Sequence, residues 1–143
     1  MFTTVASADA PLVIRRLVEA WNSHDLARIE SLYAPNCDGY DIGDGDHLSG
    51  REGVRENMSR YIHAFPDLQI TCEDYVAQDE RMAFTWTARG THSGPLMNIP
   101  PTGLAVVVRG SSFLALRENL IFESRHIWDM AGLLRGIRLL PDL

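Results

Sequence analysis

The side chain most suggestive of chemistry is His126, which lies in an alternating run over residues 120–128. In a strand, Phe122, Ser124, His126 and Trp128 would share one face. Burial in an apolar pocket disfavours the charged imidazole, so we expect a neutral ring near pH 7 that can accept a proton as general base. The alternative is a structural histidine that bonds to a backbone carbonyl.

Two further polar residues, Ser112 and His92, are predicted to lie near this pocket. A hairpin that turns at Glu118-Asn119 brings Ser112 close to His126 across the strands. A hydroxyl beside a base is the minimum for a nucleophile, but the sequence has no oxyanion-hole motif. We therefore expect Ser112 to orient the imidazole or a ligand. His92 lies at the edge of a loop rich in Gly and Pro, where it either donates a hydrogen bond to a substrate carbonyl or fixes the loop.

Asp129 has two interpretations. It immediately precedes the helical spacing of residues 130–137, where an N-cap belongs, and its parity places it on the face opposite His126. Capping is the favoured role, and catalysis is the alternative. Four large apolar residues are predicted to line a ligand cavity, although each alone would be interpreted as core: Phe65, Trp86, Met97 and Trp128.

The sequence contains no pattern that predicts a metal or a cofactor. Asp41, Asp44, Asp46 and His47 do not have the spacing of a calcium loop and are interpreted as turn formers. There is no Gly-rich nucleotide fingerprint. Cys37 and Cys72 lack paired spacing, so we expect two buried free thiols rather than a disulfide or zinc site.

These residues are expected to be held by three helices followed by a run of strands. Apolar spacings of three and four predict helices near 10–22, 25–33 and 51–64. A short strand is predicted at 37–42, followed by a loop. From residue 68 the period is two, with a hairpin turn at 79–80, a loop at 90–103 and a long strand at 104–116 that bulges or bends at Gly110.

Helices followed by antiparallel strands indicate a single α+β domain over residues 1–143. We expect a curved, mostly antiparallel sheet and helices that form a cone around a ligand cavity. Val107, Ile121 and Ile127 are expected on an exposed sheet face, which predicts a homodimer or homotetramer formed through the sheet.

Composition bears on partners and location. A net charge of -6 makes nucleic acid and anionic membranes poor partners, because both require a concentrated basic surface. No apolar run approaches the ~18 residues of a membrane span. The first 16 residues lack the features of a secretory signal, which favours a cytoplasmic protein.

Six short motifs, spread over nearly the whole chain, resemble the SnoaL-like polyketide cyclase family. That family belongs to the cone-shaped α+β group shared by ketosteroid isomerases and nuclear transport factors. The motifs are residues 20–25 (AWNSHD), 50–54 (GREGV), 64–67 (AFPD), 90–94 (GTHSG), 100–103 (PPTG) and 128–134 (WDMAGLL).

The resemblance implies a cofactor-free enzyme that binds a polycyclic or similarly bulky apolar molecule and transfers protons, typically to close a ring by aldol condensation. The family's acid/base aspartate falls at His126 and its nearby histidine at Ser112, so both positions are substituted. Other members are accessory hydroxylation proteins or isomerases. Two classes therefore stay open: an acid/base enzyme, and a non-catalytic ligand-binding or accessory protein.

Overall fold

The computed structural model describes residues 10–143, which form four helices and one six-stranded sheet. In chain order these are α1 (Leu12–Ser23), α2 (Leu26–Ser31), β1 (Tyr33–Asp41), β2 (Asp46–His47), α3 (Gly50–Ala64), β3 (Gln69–Gln78), β4 (Arg81–Thr91), β5 (Ala105–Arg117), β6 (Leu120–Trp128) and α4 (Met130–Gly136). The strand order is β2-β1-β6-β5-β4-β3, and every pair is antiparallel except β1 and β6. The sheet is curved and open, which confirms the predicted α+β class.

The predicted helices are present, but the second is shorter than expected. It ends at Ser31, and β1 begins at Tyr33, so the predictions of helix to residue 33 and strand from 37 were wrong. Pro35 lies within β1, where the register against β6 shifts between Tyr33 and Asp38. A proline fits there because an irregular stretch does not need its missing N–H.

Three smaller predictions are also corrected. β4 continues to Thr91, past the predicted loop start at Gly90, and β2 occupies part of the loop predicted after β1. No register shift occurs at Gly110, which pairs with Trp86 on β4. Glycine is needed there because a Cβ would collide with the Trp86 ring.

The prediction that Ile121 is exposed was wrong, because this side chain is fully buried in the core. The β5–β6 register shifts between Ala115 and Leu116, so the inward face of β6 changes phase near its start. Val107 and Ile127 are exposed as predicted, at 51% and 54%. Cys37 and Cys72 are buried free thiols, also as predicted.

The segment at residues 20–25 ties α1 to the edge strand β3. The Asn22 side chain donates to the Ile70 carbonyl (2.9 Å) and accepts from the Ile70 N–H (2.6 Å). His24 adopts a left-handed conformation at the end of α1, and its Nε2 lies 2.9 Å from the Leu68 carbonyl. Asp25 then caps α2 by accepting from the Arg28 N–H. Residues 20–25 therefore have a structural role.

No helix within residues 10–143 has the length and apolar character needed to cross a membrane.

Replacing Asn22 by Ala is expected to lower the free energy of unfolding by about 1–3 kcal/mol, because two backbone groups of the edge strand lose their partner. Asn22→Asp should also destabilise, since a carboxylate would face the Ile70 carbonyl. Urea denaturation measures both, with Arg16→Ala on the exposed face of α1 as the control. Stability equal to that of wild type in both Asn22 variants would contradict the role assigned to this side chain.

Candidate active site

A cavity lies between the inner face of the sheet and helices α1, α3 and α4, and its wall is mainly apolar. The apolar lining consists of Leu17, Val18, Trp21, Phe65, Leu68, Ile70, Phe84, Trp86, Ala88, Val106, Val108, Trp128 and Leu133. Six polar residues also line it: Asp41, Asn57, Tyr61, Arg89, Ser112 and His126. An apolar cavity with a few convergent polar groups is the usual form of a small-molecule site.

The Asp41 carboxylate, at the end of β1, is only 2% exposed and accepts three hydrogen bonds. Asn57 Nδ2 (3.0 Å) and Tyr61 Oη (2.6 Å) from α3 donate to Oδ2, and Trp128 Nε1 from β6 donates to Oδ1 (2.7 Å). A buried carboxylate needs such donors, because otherwise desolvation would make its charge very costly. The three donors therefore hold an ionised Asp41 in one orientation.

The donors are themselves fixed by packing. The Tyr61 ring meets Trp128 edge to face, with centroids 6.0 Å apart, and lies 6.4 Å from Trp21. Gly43 lies directly against the Trp128 indole, where any Cβ would collide with the ring. The turn after β1 thus requires glycine if Trp128 is to reach Asp41.

A second network fixes His126. Trp86 Nε1 donates to Ser112 Oγ (2.9 Å), and Ser112 Oγ lies 2.7 Å from His126 Nδ1. If the Ser112 hydroxyl donates to His126 Nδ1, then Trp86 Nε1, Ser112 Oγ and His126 Nδ1 all have a hydrogen-bond partner. The opposite tautomer would leave the buried hydroxyl proton without an acceptor. The geometry therefore favours a neutral ring with its proton on Nε2. No partner for Nε2 lies among the described residues.

His126 and Asp41 are direct neighbours on the parallel strands β6 and β1. Burial lowers the pKa of His126 below its ordinary value, and the negative charge of Asp41 opposes this effect in part. The net lowering keeps the imidazole neutral at neutral pH. An anionic carboxylate and an imidazole N–H thus lie side by side at the polar end of the cavity.

The residues predicted for the site divide into two groups. The structure places Ser112, His126, Phe65, Trp86 and Trp128 in the cavity wall, as expected. Their part in catalysis or binding stays a prediction.

Three predicted residues lie elsewhere, since none of them lines the cavity. Asp129 is exposed and accepts from the Gly132 N–H (2.8 Å), which is the capping role favoured by the sequence. Met97 lies in the loop after β4 and is 36% exposed. His92 is fully buried; its Nδ1 contacts the Thr102 hydroxyl (3.0 Å) and accepts from the Thr102 N–H (3.3 Å), so it fixes that loop.

The interpretation of Asp41 as a turn former was wrong, and Asn57 and Tyr61 were not identified from the sequence. Cys37, Gly39 and Asp41 alternate on the buried face of β1. The sequence signal that could have identified Asp41 is an acidic residue in phase with this buried face. Within residues 10–143, no group of three or more His, Cys, Asp or Glu side chains could hold a metal. Asp46 instead pairs with Arg60.

Comparison with known structures places the chain among cone-shaped α+β proteins. AclR, a putative hydroxylase from Streptomyces galilaeus, matches with a TM-score of 0.81 and 29% identity over 92% of this chain and 82% of that one. IdmH, a putative polyketide cyclase from Streptomyces antibioticus, matches with a TM-score of 0.75 and 30% identity, over 92% and 97%. A putative SnoaL-like cyclase from Jannaschia sp. CCS1, at 18% identity and a TM-score of 0.81 over 90% and 91%, supports the fold alone.

The fold and the curved sheet define the class of cone-shaped α+β proteins. Within that class, the family model described as SnoaL-like polyketide cyclase matches residues 11–137, so the chain belongs to the SnoaL-like family. No curated protein matches the sequence.

The contribution of His92 to the stability of the protein is expected to fall as the pH decreases from 7 to 5. Burial lowers the pKa of His92 below 6.5. At a pH between the folded and unfolded pKa values of His92, the unfolded chain binds the proton and the folded chain does not. Protonation therefore favours unfolding in this range, and His126 acts in the same direction.

His92→Asn, which keeps an acceptor near Thr102, should reduce the slope of the unfolding free energy against pH by up to about 1.4 kcal/mol per pH unit. Denaturation at several pH values tests this, with the exposed Ser93→Ala as control; parallel curves for His92→Asn and wild type would contradict it.

Proposed function

We propose that this protein is a cofactor-independent enzyme that binds a bulky apolar carbonyl compound of polyketide type and rearranges it by proton transfer, as a cyclisation or an isomerisation. The observation that carries the proposal is the juxtaposition of the Asp41 carboxylate and the His126 imidazole at the polar end of an apolar cavity. Together they provide a base and a hydrogen-bond donor, the two groups that enolisation requires.

Asp41 acts as the general base in this scheme. A carboxylate offers about four lone-pair positions, and three are occupied by Asn57, Tyr61 and Trp128. Oδ1 has a single donor, so it retains a lone pair for a proton from the carbon next to a substrate carbonyl. Because the donors are already oriented, Asp41 needs no reorganisation when the substrate binds.

His126 acts as the electrophilic partner. Its Nε2–H donates to the carbonyl oxygen of the substrate and stabilises the negative charge that develops there as Asp41 removes the proton. Ser112 and Trp86 hold the ring in this tautomer and are positioning residues. The sequence alone favoured His126 as base; the hydrogen bond at Nδ1 favours the donor role instead.

The resulting enolate has two outcomes. It attacks a second carbonyl of the same molecule to close a ring, or it is reprotonated at another carbon by Asp41. Both leave the enzyme unchanged and consume no reductant or oxidant. The acid/base function that the family resemblance implied at position 126 thus moves to the adjacent strand, at Asp41.

The second candidate is a non-catalytic ligand-binding or accessory protein of a hydroxylation pathway. The similarity to AclR, described as a putative hydroxylase and 29% identical, supports the link with hydroxylation. The same apolar cavity would serve to bind and protect the ligand. The two candidates differ in whether the bound ligand exchanges a carbon-bound proton.

The enzyme proposal predicts deuterium exchange from D2O into bound ligands. Aromatic polyketides that quench the fluorescence of the cavity tryptophans would be incubated with the protein in D2O and examined by mass spectrometry. Asp41→Asn should slow exchange by roughly 10²–10⁴ through loss of the base. His126→Phe should slow it by about 10²–10³ through loss of the donor, while binding is retained.

The control is Asp129→Asn, which keeps the cap on α4 and lies outside the cavity, so it should exchange at the wild-type rate. Exchange that survives both Asp41→Asn and His126→Phe would refute the assignment of the two roles. Binding without exchange in the wild type would favour the accessory protein, and absence of both would exclude both candidates for these ligands.

We further propose that a second copy of the chain covers the outward face of the sheet, in a homodimer or homotetramer, and that the protein is cytoplasmic with no nucleic-acid or membrane partner. Val107 on β5 and Ile127 on β6 are large apolar residues more than half exposed on that face. Covering them would remove apolar area from water. The net charge of -6 disfavours polyanionic partners.

Sedimentation at micromolar concentration should therefore show a dimer or tetramer, and the double variant V107E/I127K should shift it toward monomer. Leu139→Glu, an exposed apolar position beyond α4, is the matched control and should leave the assembly intact. A wild-type monomer at these concentrations would refute the proposal.

A further inference from the structure

The hydroxyl of Tyr61 lies between two carboxylates, and its single proton cannot serve both. Its Oη is 2.6 Å from Asp41 Oδ2 and 2.9 Å from Asp44 Oδ2. Burial and the two neighbouring acids raise the pKa of Tyr61 far above its ordinary value, so the phenol stays protonated. A phenol has one proton to donate, and a proton on one of the two carboxyl groups would supply the donor for the second contact.

Asp44 is the better placed of the two acids to hold this second proton. Asp41 already accepts from Asn57 and Trp128 in addition to Tyr61, which suits the ionised form. Burial and the charge of Asp41 raise the pKa of Asp44. Asp44 Oδ1 accepts from the Asp46 N–H (2.8 Å), so the proton belongs on Oδ2, which faces the phenol.

We propose that Asp44 and Tyr61 form a proton relay that connects Asp41 with solvent through the turn between β1 and β2. Asp44 is partly exposed in that turn and is followed by the exposed Gly45. Tyr61 lines the cavity, whereas Asp44 does not. The chain of three groups thus leads from the polar end of the cavity to the protein surface.

The relay step moves two protons and one charge. The O–H bond of Asp44 breaks and its proton bonds to Tyr61 Oη, while the phenolic proton bonds to Asp41 Oδ2. The negative charge passes from Asp41 to Asp44, which then takes a proton from hydronium or a buffer acid in the solvent. In the reverse direction Asp44 first releases its proton to solvent; the proton on Asp41 Oδ2 then bonds to Tyr61 Oη, and the phenolic proton bonds to Asp44 Oδ2. A proton taken from the ligand on Oδ1 enters this route after the Asp41 carboxyl group rotates about its Cβ–Cγ bond.

This inference rests on the proposed function for its purpose, though not for its test. An apolar ligand that fills the cavity displaces water from Asp41. A proton taken from the ligand could then only return to the ligand. The relay gives Asp41 a route to solvent while the cavity is closed.

The charged and titratable groups around the relay come from three elements. His126 faces Asp41 from β6. Asp46 of β2 pairs with Arg60 of α3, and its charge adds to the raised pKa of Asp44. These groups shift the titration of the pair but do not lie between Asp44 and Asp41.

Carbon-13 NMR of the protein labelled at the Asp carboxyl carbons tests the relay without any ligand. In the wild type, the carboxyl signal of Asp41 should respond when Asp44 titrates, because the two groups are linked through the Tyr61 hydroxyl. Tyr61→Phe should reduce this response to the smaller part that arises from the charges of the two groups alone. Asp44→Asn, which keeps an acceptor for the Asp46 N–H, should remove this response from the Asp41 signal.

Asp46→Asn is the matched control, since it changes a charge in the same turn without contact to Tyr61; it should move the titration of Asp44 and preserve the response of Asp41. An Asp41 signal that does not respond to Asp44 in the wild type, or a response of unchanged size in Tyr61→Phe, would overturn the relay. For a ligand that exchanges deuterium, Tyr61→Phe should lower the ratio of solvent deuterium incorporated to product formed. No exchange with any ligand would refute the proposed enzyme, and the NMR result would still decide the relay.

Discussion

The burial of the Asp41 carboxylate is the constraint on which the site depends. A buried charge without partners costs several kcal/mol, so donors must be brought to it from other elements. They come from α3 and from the end of β6, and the same residues form the cavity wall. The charge therefore fixes the relative positions of β1, α3 and β6. Loss of a single donor would leave an anion only partly compensated, which affects stability and reactivity together.

The apolar remainder of the cavity strengthens the electrostatic effect of this charge on neighbouring groups. Interactions between charges and dipoles are stronger where water is excluded, and the cavity is lined by aromatic and aliphatic side chains. The same environment lowers the pKa of His126 and keeps its ring neutral. Asp41 and His126 are thus adjacent residues in opposite charge states. Hydrogen-bond donors keep the Asp41 carboxylate charged, and desolvation keeps the His126 imidazole neutral.

The sequence predicted the fold better than it predicted the site, for a physical reason. Helices and strands follow local periodicity, so α1, α3, the β3–β4 hairpin and the cap at Asp129 could be inferred from neighbouring residues. The environment of Asp41 depends on partners 16, 20 and 87 positions away. No local pattern encodes those contacts, and the loop-like GDGD composition that follows Asp41 favoured a turn. Ile121 was misplaced for a related reason, because the register shift that buries it depends on the pairing of β6 with β5.

The two hydrogen-bond networks of the site share no bond, and this separation bears on the kind of reaction that fits. Trp86, Ser112 and His126 form one chain, and Asp41 with its donors forms the other. They are linked only through the charge of Asp41, which acts on the imidazole across neighbouring strands. A substrate that donates a carbon-bound proton to one network and accepts a hydrogen bond from the other would connect them. A carbonyl compound with an adjacent C–H has this pair of groups on neighbouring atoms, which is why enolisation fits the site better than attack by Ser112, whose hydroxyl is already engaged by Trp86 and His126.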